Sequence, residues 1–133
     1  MDRLKKHDDF LAVLKTRKKA VSKDLVVHYK ISGQTGRLRL GLAVSKAVGH
    51  AVDRNKVKRR FRVLACRHEN LLKIPLASDD SADSVDLCRF LSLDCVMRAK
   101  PSAAHVTFNQ LDKQVEKLFL DINHTLSAES QLS

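Results

Sequence analysis

Residues 37–67 read RLRLGLAVSKAVGHAVDRNKVKRRFRVLACR, and the period of their apolar positions changes midway. From Arg37 to Ser45, Leu38, Leu40, Leu42 and Val44 alternate with Arg37, Arg39, Gly41 and Ala43, the period of a half-buried strand. Further on, Val57, Phe61, Leu64 and Leu71 recur at spacings of four, three and seven, and Pro75 blocks continuation. A long helix is therefore expected from about Val52 to Lys73. On a wheel of about 100° per residue, Arg54, Asn55, Lys58, Arg59 and Arg62 share an arc of roughly 140°, opposite Val57, Phe61 and Leu64. Lys56, Arg60 and Arg67 occupy a third sector. Only Asp53 and Glu69 are placed to compensate these cations at helical spacing.

Working outward, Asp8 and Asp9 precede Phe10, Leu11, Val13 and Leu14, a short helix with acids at the positive end of its dipole. KTRKKAVSK, Lys15 to Lys23, reads as a solvated basic connection. Leu25 to Ile31 suits a strand. A turn at Ser32–Gly36 suggests that this strand and Arg37–Ser45 pair as a hairpin. A Ser- and Asp-rich loop follows from Leu76 to Ser84, then an apolar stretch with a strand at Leu93–Ala99, stopped by Pro101. Val85–Leu91 is ambiguous. Thr107 and Gln110 form a capping box ahead of Leu111, Val115, Leu118, Phe119 and Ile122, an apolar stripe at helical spacing. The tail Ser127–Ser133 is expected to fray.

A chain of 133 residues is one domain's worth. Against 15 acidic residues stand 25 Lys and Arg, a formal net charge of +10, with a sequence pI near 9.9. Such a surplus calls for a polyanion. No apolar run approaches the roughly 20 residues of a spanning helix, and MDRLKKHDDF lacks a signal-peptide apolar segment. A cytoplasmic protein without a membrane role is expected. Cys66, Cys88 and Cys95 are odd in number and form no C-x-x-C pair, so we read them as small buried apolar residues. Cys66 with His68 is the one close Cys and His pair, and no metal site is expected. A basic helix is ordinarily a solvated face, but solvated faces mix signs. Here the net charge and the missing acidic partners favour nucleic acid. Arg offers bidentate donors to phosphate, Lys a point charge, and Asn55 can donate or accept at a sugar or base edge.

The run from Gly41 to Arg62 resembles the signature of the bacterial ribonuclease P protein family. The pattern R-N-x-x-K-R-x-x-R falls on Arg54, Asn55, Lys58, Arg59 and Arg62, after Ser45, Lys46, Gly49, Ala51 and Val52. R-L-K-K-x-x-D-F recurs as Arg3–Phe10, and R-A-K-P as Arg98–Pro101. The resemblance implies an α+β fold: a small α/β sandwich of about four strands and three helices in the order αβββαβα. It also implies a left-handed βαβ crossover, as in one domain of ribosomal protein S5, where general chirality would predict a right-handed one. It implies RNA-binding residues Lys46, Arg54, Asn55, Lys58, Arg59 and Arg62 facing a catalytic RNA. A cleft beside the first helix would take the 5′ leader of precursor tRNA, with Arg3, Phe10, Leu14 and Tyr29, or His28 in place of Tyr29. Leu14 stands where the family has a second Phe, and Ala47 where it often has Lys. Ser78–Asp86 looks like an acidic insertion.

On this resemblance the protein has no catalytic residue and no metal ligand of its own. It assists the RNA subunit, which holds Mg²⁺, in endonucleolytic removal of the leader, and needs no obligate protein partner. Three alternatives stand beside it. A ribosomal-type RNA-binding protein would share charge and fold class. A helix-turn-helix DNA binder would need a compact helix pair unlike Ser45–Val52. A protein-only nuclease would use Asp79, Asp80, Asp83 and Asp86, which lack a supporting His or rigid element.

Overall fold

A computed structural model of the chain describes residues 1–75 and 90–131. Its elements run β1 (Asp2–Arg3), α1 (His7–Lys15), β2 (Lys19–Val21), β3 (Leu25–Gly33), β4 (Leu38–Ala43), α2 (Ala51–His68), β5 (Ser92–Ala99) and α3 (Phe108–Gln131). Single 3-10 turns lie at Lys46–Val48, Glu69–Leu72 and Pro101–His105. The strands form one sheet in the order β1-β4-β5-β3-β2.

The sheet thus has five strands rather than about four, and the order αβββαβα gains a leading strand. β1 is two residues long and pairs parallel with β4, too short for any periodic signal. β2 lies inside the expected basic connection; its Lys19 and Val21 are exposed and only Ala20 is half-buried, as suits a short, charged edge strand.

The expected hairpin is also corrected. β3 and β4 do not pair: β5 lies between them, antiparallel to β3 and parallel to β4. β5 is buried at every position except Arg98, with apolar side chains on both faces, so it belongs at the centre. The β3–β4 connection must therefore step over one strand, a span of about 10 Å. Ser92, at the start of β5, holds it there: its Oγ accepts the N–H of Thr35 at 3.0 Å and of Arg37 at 3.1 Å.

The two sheet faces are covered unequally. On one, Leu25, Val27, Leu40, Leu93, Cys95 and Met97 meet the buried stripes of α2 and α3. Val57, Phe61, Leu64 and Ala65 form the α2 stripe. The expected α3 stripe is buried throughout and extended by Leu126. The Thr107–Gln110 capping box is present, at 3.0 and 3.2 Å. On the other face a small cluster of Leu4, Val13 and Val96, with Phe10, Leu14 and Ala43 against it, seats the nine-residue α1. One short helix cannot cover a five-stranded sheet. A channel remains on that side.

α2 ends at His68 and passes into a 3-10 turn, short of the expected Lys73. α3 continues through residues 127–131, where a frayed tail was expected. Of the cysteines, Cys95 is buried, and burial pushes its thiol up to about 12, while Cys66 is exposed, contrary to the apolar reading. Cys88 and the acidic stretch Ser78–Asp86 lie outside the described residues, as does most of Val85–Leu91. Among the described residues no helix is long and apolar enough to cross a membrane.

Candidate nucleic-acid interface

The lead-in to α2 sets the direction of its basic face. Val48 is buried and anchors the turn after β4. Gly49 has φ +151°, and a Cβ there would lie 2.6 Å from Asp53 Oδ2. That oxygen accepts the His50 N–H at 3.2 Å, closing the helix start. Asp53 is thereby occupied, and Glu69 lies 3.3 Å from the Met1 amino group. Neither acid compensates the basic face.

The three sectors of α2 have separate uses. Arg60 donates to the Val106 carbonyl at 3.1 Å, and Arg67 donates to Asp112 at 3.1 Å while its guanidinium lies 5.2 Å from the Phe108 ring centroid. His68 hydrogen-bonds the other Asp112 oxygen. The hydrogen bond from His68 and the charge of Arg67 hold the Asp112 carboxyl below its ordinary range. Arg60 and Arg67 of this sector, with His68, dock α2 onto α3 and its lead-in, while Lys56 makes no such bond with a described residue. Arg54, Asn55, Lys58, Arg59 and Arg62, and Lys46 in the lead-in turn, make no side-chain hydrogen bond or ion pair with a described residue. Arg54 Nε is buried without a partner. The sector free of internal partners is the one the helical wheel singles out.

Beside it runs the channel left by α1. A concavity of about 260 Å³ is lined by Arg3, Phe10, Gly41, Lys58, Arg62 and Cys66, among others. A second, of about 630 Å³, is lined by Phe10, Leu42, Ser45, Lys58, Arg98 and Lys100, among others. Phe10, Leu42 and Lys58 belong to both, so the two are one groove, with β4 as floor, α1 as one wall and α2 as the other. Asp2 is the single carboxylate in either lining, and it is paired with Arg37 at 3.0 Å.

The Phe10 ring sits where a side chain at position 41 would be. A Cβ on Gly41 would meet the ring at 2.6 and 2.9 Å, closer than carbon atoms pack. Gly41→Ala is therefore expected to lift the ring into the groove and to weaken single-stranded RNA binding about tenfold, while melting stays near wild type because Phe10 can swing outward. In a Phe10→Ala background the same change should cost almost nothing, and a binding assay on the four proteins of that cycle checks it.

The structure brings Arg3, Phe10, Lys58 and Arg62 together. It does not bring Leu14 or Tyr29 to the groove. Leu14 packs on the Val13–Val96 cluster. Tyr29 is 6% exposed and lies in the core on the α2–α3 face, opposite Cys95, so its place in the cleft is corrected. His28, one residue earlier, lies on the α1 side, 8% exposed, with both ring nitrogens unpartnered. Burial, then the charges of Arg98 and Lys19, hold its pKa below the ordinary 6.5, so it is neutral near neutrality. Sequence reasoning missed Lys100 and Gly41 as groove residues. The R-A-K-P match pointed at the first; nothing flagged the second. Among the described residues no group of three or more His, Cys, Asp or Glu could hold a metal ion.

The Ribonuclease P family model matches residues 1–123. The chain belongs to that family. A ribonuclease P protein component from Rhodococcus opacus is 35% identical over 119 residues, covering 85% of this chain and 82% of the relative. One from Macrococcus caseolyticus is 26% identical over 115 residues, covering 86% and 84%. Among solved structures, the RNase P protein of Staphylococcus aureus superimposes with a TM-score of 0.68 at 26% identity, over 89% of this chain and 92% of that one. That of Thermotoga maritima gives 0.68 at 24% identity, over 91% and 97%, and speaks to the fold alone.

Proposed function

We propose that the chain is the RNA-binding subunit of a ribonuclease P in which a catalytic RNA removes the 5′ leader of precursor tRNA. The Arg54–Arg62 face of α2 binds the catalytic RNA, and the groove along β4 takes the leader. The observation that carries this reading is that Lys58 and Arg62 belong at once to the unpaired basic face and to the groove wall. RNA on the face and a strand in the groove are then held side by side.

The groove suits a single strand of any sequence. Phe10 offers a surface for a base, Lys58, Arg62 and Arg98 meet phosphates, and no Asn or Gln is among the described residues that line the groove. Mature tRNA lacks the leader, so preference for the precursor is the affinity gained in this groove. Cations placed between crowded phosphates lower their repulsion and release counterions, which reduces the Mg²⁺ requirement of an RNA that holds its own ions. In this reading the protein contributes no nucleophile or general base.

The test is cleavage of a 5′-extended precursor by the cognate catalytic RNA at low Mg²⁺, with and without the protein and with Arg54→Ala and Arg59→Ala combined. Rescue by wild type, weakened by the double substitution, supports the reading. An RNA that gains nothing from the protein rejects it and turns attention to ribosomal RNA.

A further inference from the structure

The groove does not stop at Arg3. Asp2 and Arg3 also line a third concavity, of about 490 Å³, enclosed by β1, the start of β4 and the N-terminal end of α1. Every lining residue is charged: Arg3, Lys5, Lys6, Arg37 and Arg39 against Asp2 and Asp9. Both carboxylates are already engaged, Asp2 with Arg37 at 3.0 Å and Asp9 with Arg39 at 3.4 Å. Arg39 is further matched by a bidentate pair to Asp94, at 2.7 and 2.6 Å. Arg3, Lys5 and Lys6 are left with no carboxylate partner among the described residues, and all three are exposed. Three uncompensated cations around one hollow repel each other unless an anion enters it.

The three concavities follow β4 and the residues that flank it. The third is lined by Arg37 and Arg39, the first by Leu40, Gly41 and Leu42, and the second by Leu42 to Ser45. The eight residue steps from Arg37 to Ser45, five of them within β4, make a track of at most about 26 Å. Its chemistry changes along the way. Phe10 and the apolar β4 floor sit in the middle; no apolar or aromatic residue is among the described ones that line the end at Lys5 and Lys6.

We propose that the hollow between Arg3, Lys5 and Lys6 is a phosphate-binding extension of the groove. It grips the backbone of the same RNA strand beyond Phe10 without touching its bases. The proposal rests on the reading of the groove as the leader's path. Lysine suits the role, because a flexible point charge follows a phosphate whose position varies with sequence.

The test measures the affinity of the reconstituted holoenzyme for precursor tRNA carrying a long or a short leader, over a salt series, for wild type and for Lys5→Ala with Lys6→Ala. Two lost phosphate contacts to a single strand should reduce the slope of log affinity against log salt by about 1.4. With the long leader the double variant should show that reduction and a several-fold weaker affinity; with the short leader it should match wild type. An unchanged slope on the long leader overturns the proposal. So does an equal reduction on both leaders, which would place the two lysines on the catalytic RNA or the tRNA body. If wild type shows no dependence on leader length, the groove is not the leader's path and the extension falls with it.

Discussion

Replacing Lys58 and Arg62 together by alanine is expected to weaken holoenzyme binding of a leader-bearing precursor about ten- to a hundredfold and to reduce the salt slope by about 1.4. These two side chains stand where the basic face of α2 meets the groove, so their loss affects both RNA surfaces at once. About 1 kcal/mol per charge-assisted contact accounts for the size of the effect. Folding should be spared. Neither residue has an internal ion pair with a described residue, and Arg62 is exposed, so melting should shift by no more than about 0.5 kcal/mol. Lys117→Ala, an exposed cation on α3, removes one positive charge from a surface with no part in the groove and should leave the slope as it is. A double variant that binds and titrates with salt like the Lys117 control would show that RNA does not run past α2.

How much of this was legible in the sequence depended on length and parity. α2 and α3 run for 18 and 24 residues, long enough for a helical period to separate buried from exposed positions, and their stripes read correctly. The basic face read correctly for the same reason. Strand adjacency did not. Nothing local to β3 and β4 reveals that β5, more than fifty residues further on, separates them, because the preference for the sheet centre is settled by burial on both faces. Tyr29 was a matter of parity. In a strand one step changes the face, and the alternation of Leu25, Val27, Tyr29 and Ile31 with Val26, His28 and Lys30 already sets Tyr29 on the apolar face and His28 on the other. Gly41 was illegible for another reason: it matters through the atoms it lacks, which become visible only once Phe10 is seen lying over it.

Asp24 should carry the largest single effect on stability. It is 1% exposed, and its two oxygens accept from Ser102 Oγ and Gln114 Nε2, each at 2.6 Å. Gln114 Oε1 in turn accepts from Ser22 Oγ at 2.7 Å and from the Asp24 N–H at 3.0 Å, joining the β2–β3 turn to α3. Asp24→Ala leaves the Gln114 amide and Ser102 hydroxyl facing a gap, and a loss of about 3 kcal/mol is expected, lowering the melting temperature by about 10 °C. The acid limb carries a second signature. Burial alone would raise the carboxyl's pKa, but the bonds from Ser102 and Gln114 and the charges of Lys23 and Lys100 outweigh it, so Asp24 titrates below its ordinary 3.8. A carboxyl depressed by folding stabilises the native state above that value, and this contribution is lost as pH falls through the folded pKa. Wild type should therefore lose stability on acidification below about 3.8 more steeply than Asp24→Asn does. The same network reaches the groove, since the Lys100 N–H bonds the Asp24 carbonyl at 2.9 Å and Lys100 Nζ bonds the Ser22 carbonyl at 2.7 Å. Loosening it frees the Lys100 end of the wall, so RNA binding should weaken even at temperatures where the variant is fully folded. If Asp24→Ala melts with wild type, the hydrogen bonds only repay the cost of burying the charge, and the wall is held by apolar packing instead.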